Sequence, residues 1–187
     1  MNEFLTDVTK IRERARQHME QGSVTASYKA DRGRVISVLN EALATEIVCV
    51  LRYKRHYYMA KGINAEPVAQ EFQQHAIEEQ AHADLIAQRI TQLQGEPNFN
   101  PEGITARSHS EYVEGGSLVD MIREDLVAER IAVESYSEIV RWLGNDDPTT
   151  RSMMEVILQA EEEHADDLSN MLASLDPTKA ESKGKTV

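Results

Sequence analysis

Four glutamates and two histidines occupy two motifs that each occur twice in this chain. In one motif a histidine follows a glutamate after three residues, and in the other a tyrosine follows a glutamate after seven. The six side chains are Glu46, Glu79, His82, Glu129, Glu161 and His164. Carboxylate and imidazole together suit Fe(II), and also Mn(II) or Zn(II). The repetition therefore predicts a site for two metal ions.

The motifs lie on four long segments with helical periodicity. In each segment apolar residues recur at steps of three and four, and a glutamate interrupts this stripe near its middle. The predicted helices run from about 31 to 61, from near Asn64 to Gly95, from 117 to 144 and from 147 to 175. Ser117 and Asp147 have the side chains of helix N-caps, and Gly62 and Gly144 mark helix ends.

The connections between these helices predict an all-α four-helix bundle. Two joins are short, which makes their helices antiparallel neighbours, whereas residues 95–116 form one long crossover between two helical hairpins. Residues 1–30 are predicted to form an N-terminal extension with a short amphipathic helix over 3–19. The bundle is assigned to residues 31–175, and the polar tail at 176–187 is predicted to be disordered.

Buried glutamates in all four helices require compensation. Burying a carboxylate without a partner is costly, and four that face one another also repel. No lysine or arginine lies on the stripes. Two divalent ions would balance the four carboxylates, and the three-residue spacing lets a glutamate and a histidine reach the same ion.

Composition limits the partners. The net charge is −12, of which residues 41–175 carry −15, so the chain is expected to attract cations and to repel nucleic acid. Cys49 is the only cysteine, so no intrachain disulfide can form. No apolar run approaches the roughly 18 residues of a membrane span, and the N-terminus has no signal-peptide pattern. These features predict a cytoplasmic protein without a membrane partner.

Four further residues lie close to the predicted ligands along the chain. His75 precedes Glu79 by one turn and either lines an iron path, forms part of a third metal position or is a hydrogen-bonded core histidine. Asp125 precedes Glu129 by one turn and is a candidate partner for a ligand histidine, or a solvated acid. Tyr53 and Tyr136 each lie two turns from a ligand and can serve the centre or only pack.

The ligand segments resemble those of bacterioferritins and of the related Dps-like proteins within the ferritin-like superfamily. The similar segments are residues 40–46, 75–84, 125–129 and 161–164. The resemblance implies a ferritin-like bundle with two iron ions per subunit, Fe(II) oxidation by O2 or H2O2, and storage of the product in a homo-oligomeric shell. It also implies roles for the ligands. Glu46 and Glu129 would be terminal, Glu79 and Glu161 bridging, and His82 and His164 would each bind one ion.

Two departures from the bacterioferritin pattern change these expectations. The methionine that holds haem in that family is replaced by Gln80, so no haem is expected. Only a dozen polar residues follow Leu175, where the 24-subunit cages have a fifth helix, and an N-terminal extension is present instead. Together these features favour a dodecamer.

Other functions remain as alternatives. A rubrerythrin-like peroxidase or a manganese catalase would use a similar centre without storing metal, although rubrerythrins usually add an iron domain held by four cysteines. A Dps-like DNA-protecting protein would bind DNA through its tails. The tails carry only +2 over residues 1–40 and +1 over residues 176–187, which makes nucleic acid an unfavourable partner.

Overall fold

Four long helices dominate the chain. The computed structural model describes residues 7–63 and 65–175, and all regular structure within these ranges is helical. The helices are α1 Val8–Ala15, α2 Arg32–Met59, α3 Ala65–Gln92, α4 Ile104–Arg107, α5 Leu118–Leu143 and α6 Pro148–Leu175, with a 3-10 turn at Met19–Gln21. The predicted all-α bundle is confirmed.

Helix boundaries follow local hydrogen bonding. The Asp31 side chain accepts from the backbone N–H of Arg34 at the start of α2, and the Ser117 side chain caps α5 in the same way. The predicted start of α3 near Asn64 differs little from its observed start at Ala65, although Asn64 itself lies outside the described residues. Helices α2 and α3 form one hairpin, α5 and α6 form the other, and the crossover between them contains α4.

The apolar core is divided into two clusters by a polar layer. One cluster contains Leu39, Ile86 and Ile157, and the other contains Phe72 and Leu168. On every long helix the predicted ligands lie between the residues of these two clusters. The stripes therefore place the ligands at mid-height in the bundle, with apolar packing above and below them.

A buried arginine links the crossover to the bundle, which the sequence analysis did not anticipate. Arg52 is 1% exposed, and its Nε donates to Asp125 Oδ1 at 2.8 Å. Its Nη1 donates to Ser110 Oγ and to the backbone carbonyl of Glu111. His56 contacts the second oxygen of Asp125 at 2.8 Å. A buried cation is therefore present in the core, but it is paired with Asp125 rather than with the predicted ligands.

Among the described residues of the N-terminal extension, the helix ends earlier than predicted. Helix α1 covers only 8–15 of the predicted 3–19, and residues 1–6 lie outside the described part. Val24 joins the core, and the Tyr28 hydroxyl donates to Asp147 at 2.9 Å. The predicted disordered tail, residues 176–187, also lies outside the described part. No helix within the described ranges is long and apolar enough to cross a membrane.

Candidate metal centre

All six predicted ligands are buried in the polar layer. Their exposed fractions run from 0% for Glu129 to 8% for His82. Helix α2 contributes one glutamate, α5 contributes one, and α3 and α6 each contribute a glutamate and a histidine. The structure thus brings together all the residues that the repeated motifs selected.

The ligands form two overlapping groups of four. One group is Glu46, Glu79, His82 and Glu161, and the other is Glu79, Glu129, Glu161 and His164. Within each group one ligand atom per residue lies within 4.8 Å of the others. Glu79 and Glu161 belong to both groups, so these two carboxylates lie between the two histidines.

Several ligand atoms are buried without a hydrogen-bond partner. They are Glu46 Oε2, Glu79 Oε1, Glu129 Oε2, both carboxylate oxygens of Glu161 and His164 Nδ1. A buried acceptor without a donor destabilises a fold by about 1–3 kcal/mol. These atoms converge on the same centre. Two divalent cations would satisfy them, and the donor set therefore fits a di-metal site.

Burial and close contact shift the pKa values of the ligand side chains. Burial and the charge of Glu79 raise the pKa of Glu46 to about 8, and burial with the charges of Glu79 and Glu161 raises that of Glu129 well above its usual value. Burial opposes charging of the two histidines, but their carboxylate neighbours raise the pKa of His82 and bring that of His164 to about 12. Burial also opposes ionisation of Glu79, but its contacts with both histidines lower its pKa.

The two tyrosines connect the halves of the repeat. The Tyr53 hydroxyl donates to Glu129 Oε1, and the Tyr136 hydroxyl donates to Glu46 Oε1. Each tyrosine therefore contacts the glutamate that belongs to the other copy of the motif. The second oxygen of each glutamate remains free to face the centre.

One histidine has a partner that sequence reasoning missed. His164 Nε2 donates to Glu78 Oε2 at 2.8 Å, while Nδ1 points to Glu79 and Glu161. A carboxylate behind a ligand histidine holds its ring orientation and selects which nitrogen is free for metal. Glu78 directly precedes a predicted ligand, but it was not singled out because one of many acids on the helix surface carries no distinguishing signal.

His75 and Asp125 lie in different environments. The His75 ring stacks on His164 with 4.0 Å between centroids, and its Nδ1 lies 3.1 Å from the Tyr53 hydroxyl. Burial and the charge of His164 lower the pKa of His75 to about 3. Asp125 contacts Arg52 and His56 rather than a predicted ligand histidine, which corrects its assignment as a partner of such a histidine. The nearby cation draws this carboxylate away from the centre.

Comparison with known proteins agrees with this geometry. A model of the ferritin-like domain matches residues 36–177. The chain belongs to the ferritin family. The resemblance predicted from the ligand segments is confirmed, and the described bundle is ferritin-like.

Individual family members are similar over most of the chain. The bacterioferritin of Desulfovibrio desulfuricans is 29% identical over 141 residues, which cover 74% of this chain and 75% of that protein. A dodecameric thioferritin, the bacterioferritin-related protein of Bacteroides fragilis, is 32% identical with a TM-score of 0.77 and covers 82% of this chain and 92% of its own. Rhodobacter capsulatus bacterioferritin, solved with a metal-free dinuclear site and haem iron, is 26% identical with a TM-score of 0.69, covering 80% and 89%.

Proposed function

We propose that this ferritin-family protein is a ferroxidase that oxidises two Fe(II) ions with O2 or H2O2 and stores the product in an oligomeric shell. One observation carries this proposal, namely that Glu79 and Glu161 are shared by two four-ligand groups in which each of the four glutamates has at least one buried oxygen without a hydrogen-bond partner. A single-metal site would need only one such group. Mn(II) or Zn(II) would fit the same donors, but Zn(II) does not change its oxidation state, and the similarity to bacterioferritins favours iron over manganese.

The six ligand residues have different roles in Fe(II) binding. Glu79 and Glu161 would contact both Fe(II) ions, and Glu46 and Glu129 would each contact one. His82 and His164 would bind through Nδ1, the nitrogen that faces the carboxylates. The neighbouring carboxylates raise the pKa of both histidines, so entry of Fe(II), which would neutralise the same carboxylates, would favour release of protons from the two rings.

Oxidation follows from holding two Fe(II) ions together. Each ion gives up one electron, and O2 that takes both electrons and two protons becomes H2O2. The protein supplies fixed positions, and the tyrosine hydrogen bonds hold Glu46 and Glu129 with one oxygen facing inward. The apolar clusters on both sides keep water from the polar layer. Fe(III) then leaves for the interior of the shell.

The relatives support this assignment. The similar proteins include bacterioferritins from several bacteria, and the Rhodobacter capsulatus protein has a dinuclear site. Haem is not part of the proposal for this chain. Gln80, at the position of the expected haem ligand, is exposed and donates to Asp84 at 3.1 Å.

Iron stoichiometry tests the function. We expect metal-free protein titrated with Fe(II) under nitrogen to saturate at about two ions per chain, because each of the two overlapping ligand groups has a histidine and a glutamate of its own. Later exposure to O2 should convert both to Fe(III) in one fast phase. Saturation at one ion, or binding without oxidation, would contradict the proposal.

Assembly gives an independent test of storage. The similar Bacteroides fragilis protein is dodecameric, and we propose the same number of chains here. Native mass spectrometry should therefore show twelve chains as the main species. A dimer would remove the enclosed volume that storage needs, and a larger cage would contradict the expected dodecamer while leaving storage possible.

A further inference from the structure

A separate group of ligating atoms lies outside the two four-ligand groups, where α3 and α6 meet solvent. Glu71 and His75 on α3 and Asp167 on α6 each place one ligand atom within 4.8 Å of the others. His75 is 1% exposed, whereas Glu71 and Asp167 are partly exposed. The group therefore has a buried imidazole at its base and two carboxylates at its open side.

The hydrogen bonds of Tyr53 determine which ring nitrogen of His75 carries the hydrogen. Its Nδ1 lies 3.1 Å from the Tyr53 oxygen, and the Tyr53 hydroxyl donates to Glu129. Once Glu129 is a metal-bound carboxylate it has no proton of its own, so the single Tyr53 hydrogen belongs to that bond. The Tyr53 oxygen must then accept from His75 Nδ1–H. A neutral imidazole has one N–H, so Nε2 is left with a bare lone pair.

That lone pair faces negative charge rather than a donor. His75 Nε2 lies 3.3 Å from Glu71 Oε1, and Asp167 completes the group. Burial and the charges of Asp167 and Glu78 raise the pKa of Glu71, as expected for carboxylates that crowd one another. An imidazole nitrogen with two carboxylates is a ligand set that a divalent transition metal satisfies.

We infer that Glu71, His75 Nε2 and Asp167 form a third divalent-metal site beside the di-metal centre. The inference rests on the proposed function, because a loaded centre sets the orientation of the His75 hydrogen. His75 stacks on His164, so the outer site adjoins a ligand of the inner one. The intervening group of His75, Glu78 and His164 is closed, since His164 already donates to Glu78.

Zinc, which does not change its oxidation state, is the probe. Crystals of the assembled protein equilibrated with Zn(II) should show anomalous density at both inner positions and between Glu71, His75 and Asp167. In equilibrium dialysis, Asp167→Asn should weaken binding of the outer ion at least about tenfold and leave the inner ions bound. Asp166→Asn is the matched control, because it removes the same charge from an adjacent, exposed residue of α6. It should retain all three ions.

The tyrosines provide a second comparison. Tyr53→Phe removes the acceptor for His75 Nδ1–H and should weaken the outer ion about tenfold, whereas Tyr136→Phe, which has no contact with His75, should not. Inner ions without an outer ion in the parent protein would overturn the third site alone. So would equal losses in Asp167→Asn and Asp166→Asn. Empty inner positions would instead contradict the proposed function, and an outer ion bound without them would overturn the inferred link between the sites.

Discussion

Glu161→Ala is expected to lower the rate of Fe(II) oxidation at least about 100-fold, because it removes a carboxylate that both metal positions share. Glu161 is buried, and its charged neighbours are the two ligand histidines, with Oε1 3.1 Å from His82 Nδ1 and Oε2 3.5 Å from His164 Nδ1, so its main contacts belong to the metal centre. The variant should remain helical and assembled. Fe(II) titration under nitrogen and the rate of Fe(III) formation on adding O2 measure the two effects.

Glu163→Ala is the matched control for that experiment. It makes the same chemical change two residues away on α6, but Glu163 is exposed and belongs to neither ligand group. Its iron binding and oxidation rate should match those of the parent. If folded Glu161→Ala bound and oxidised iron as the parent does, the shared-carboxylate assignment and the proposed ferroxidase centre would both be wrong.

The bundle and its ligand positions could be predicted because both depend on periodicity. Apolar stripes identify the buried face of each helix, and a glutamate on such a stripe has to lie in the core. The internal repeat predicts the second ligand pair, since a buried Glu79 with His82 implies an equivalent pair at Glu161 and His164. Helix ends were predictable to within a few residues from caps such as Ser117.

Long-range polar partners could not be predicted in the same way. The stripe identifies a helix face but does not show how far a long side chain reaches. Arg52 meets Asp125 across 73 residues of sequence, and Glu78 meets His164 across 86. Its position one turn from Glu129 made Asp125 a candidate partner for a ligand histidine or a solvated acid, and it is neither, because it is fully buried against Arg52 and His56. The facing arginine on α2 gives it a stronger partner.

The internal repeat does not predict the polar partners of these residues either. The spacing of 83 residues that relates Glu46 to Glu129 relates Arg52 to Ser135, which cannot carry the same charge. The arginine network therefore exists in one half of the bundle only. A sequence argument built on the repeat finds the features that the halves share and misses those that distinguish them.

Arg52→Met is expected to lower the free energy of unfolding by about 3–5 kcal/mol, because it leaves Asp125 buried without its cation. It also removes the hydrogen bonds to Ser110 and to the Glu111 carbonyl, which attach the crossover to α2. Chemical denaturation of the metal-free protein, compared at one chain concentration because assembly adds to stability, measures the loss.

Two further variants separate charge from packing in that result. Arg55→Met removes an arginine one turn away whose partner, Glu114, has a 68% exposed side chain, so the loss should stay below about 1 kcal/mol. Arg52→Met combined with Asp125→Leu should be more stable than Arg52→Met alone, since no unpaired buried charge remains. If Arg52→Met were no more harmful than Arg55→Met, the buried pair would not stabilise the bundle. A double variant less stable than Arg52→Met would show that Asp125 acts through His56 instead, whose ring contacts both Asp125 and the Glu114 carbonyl.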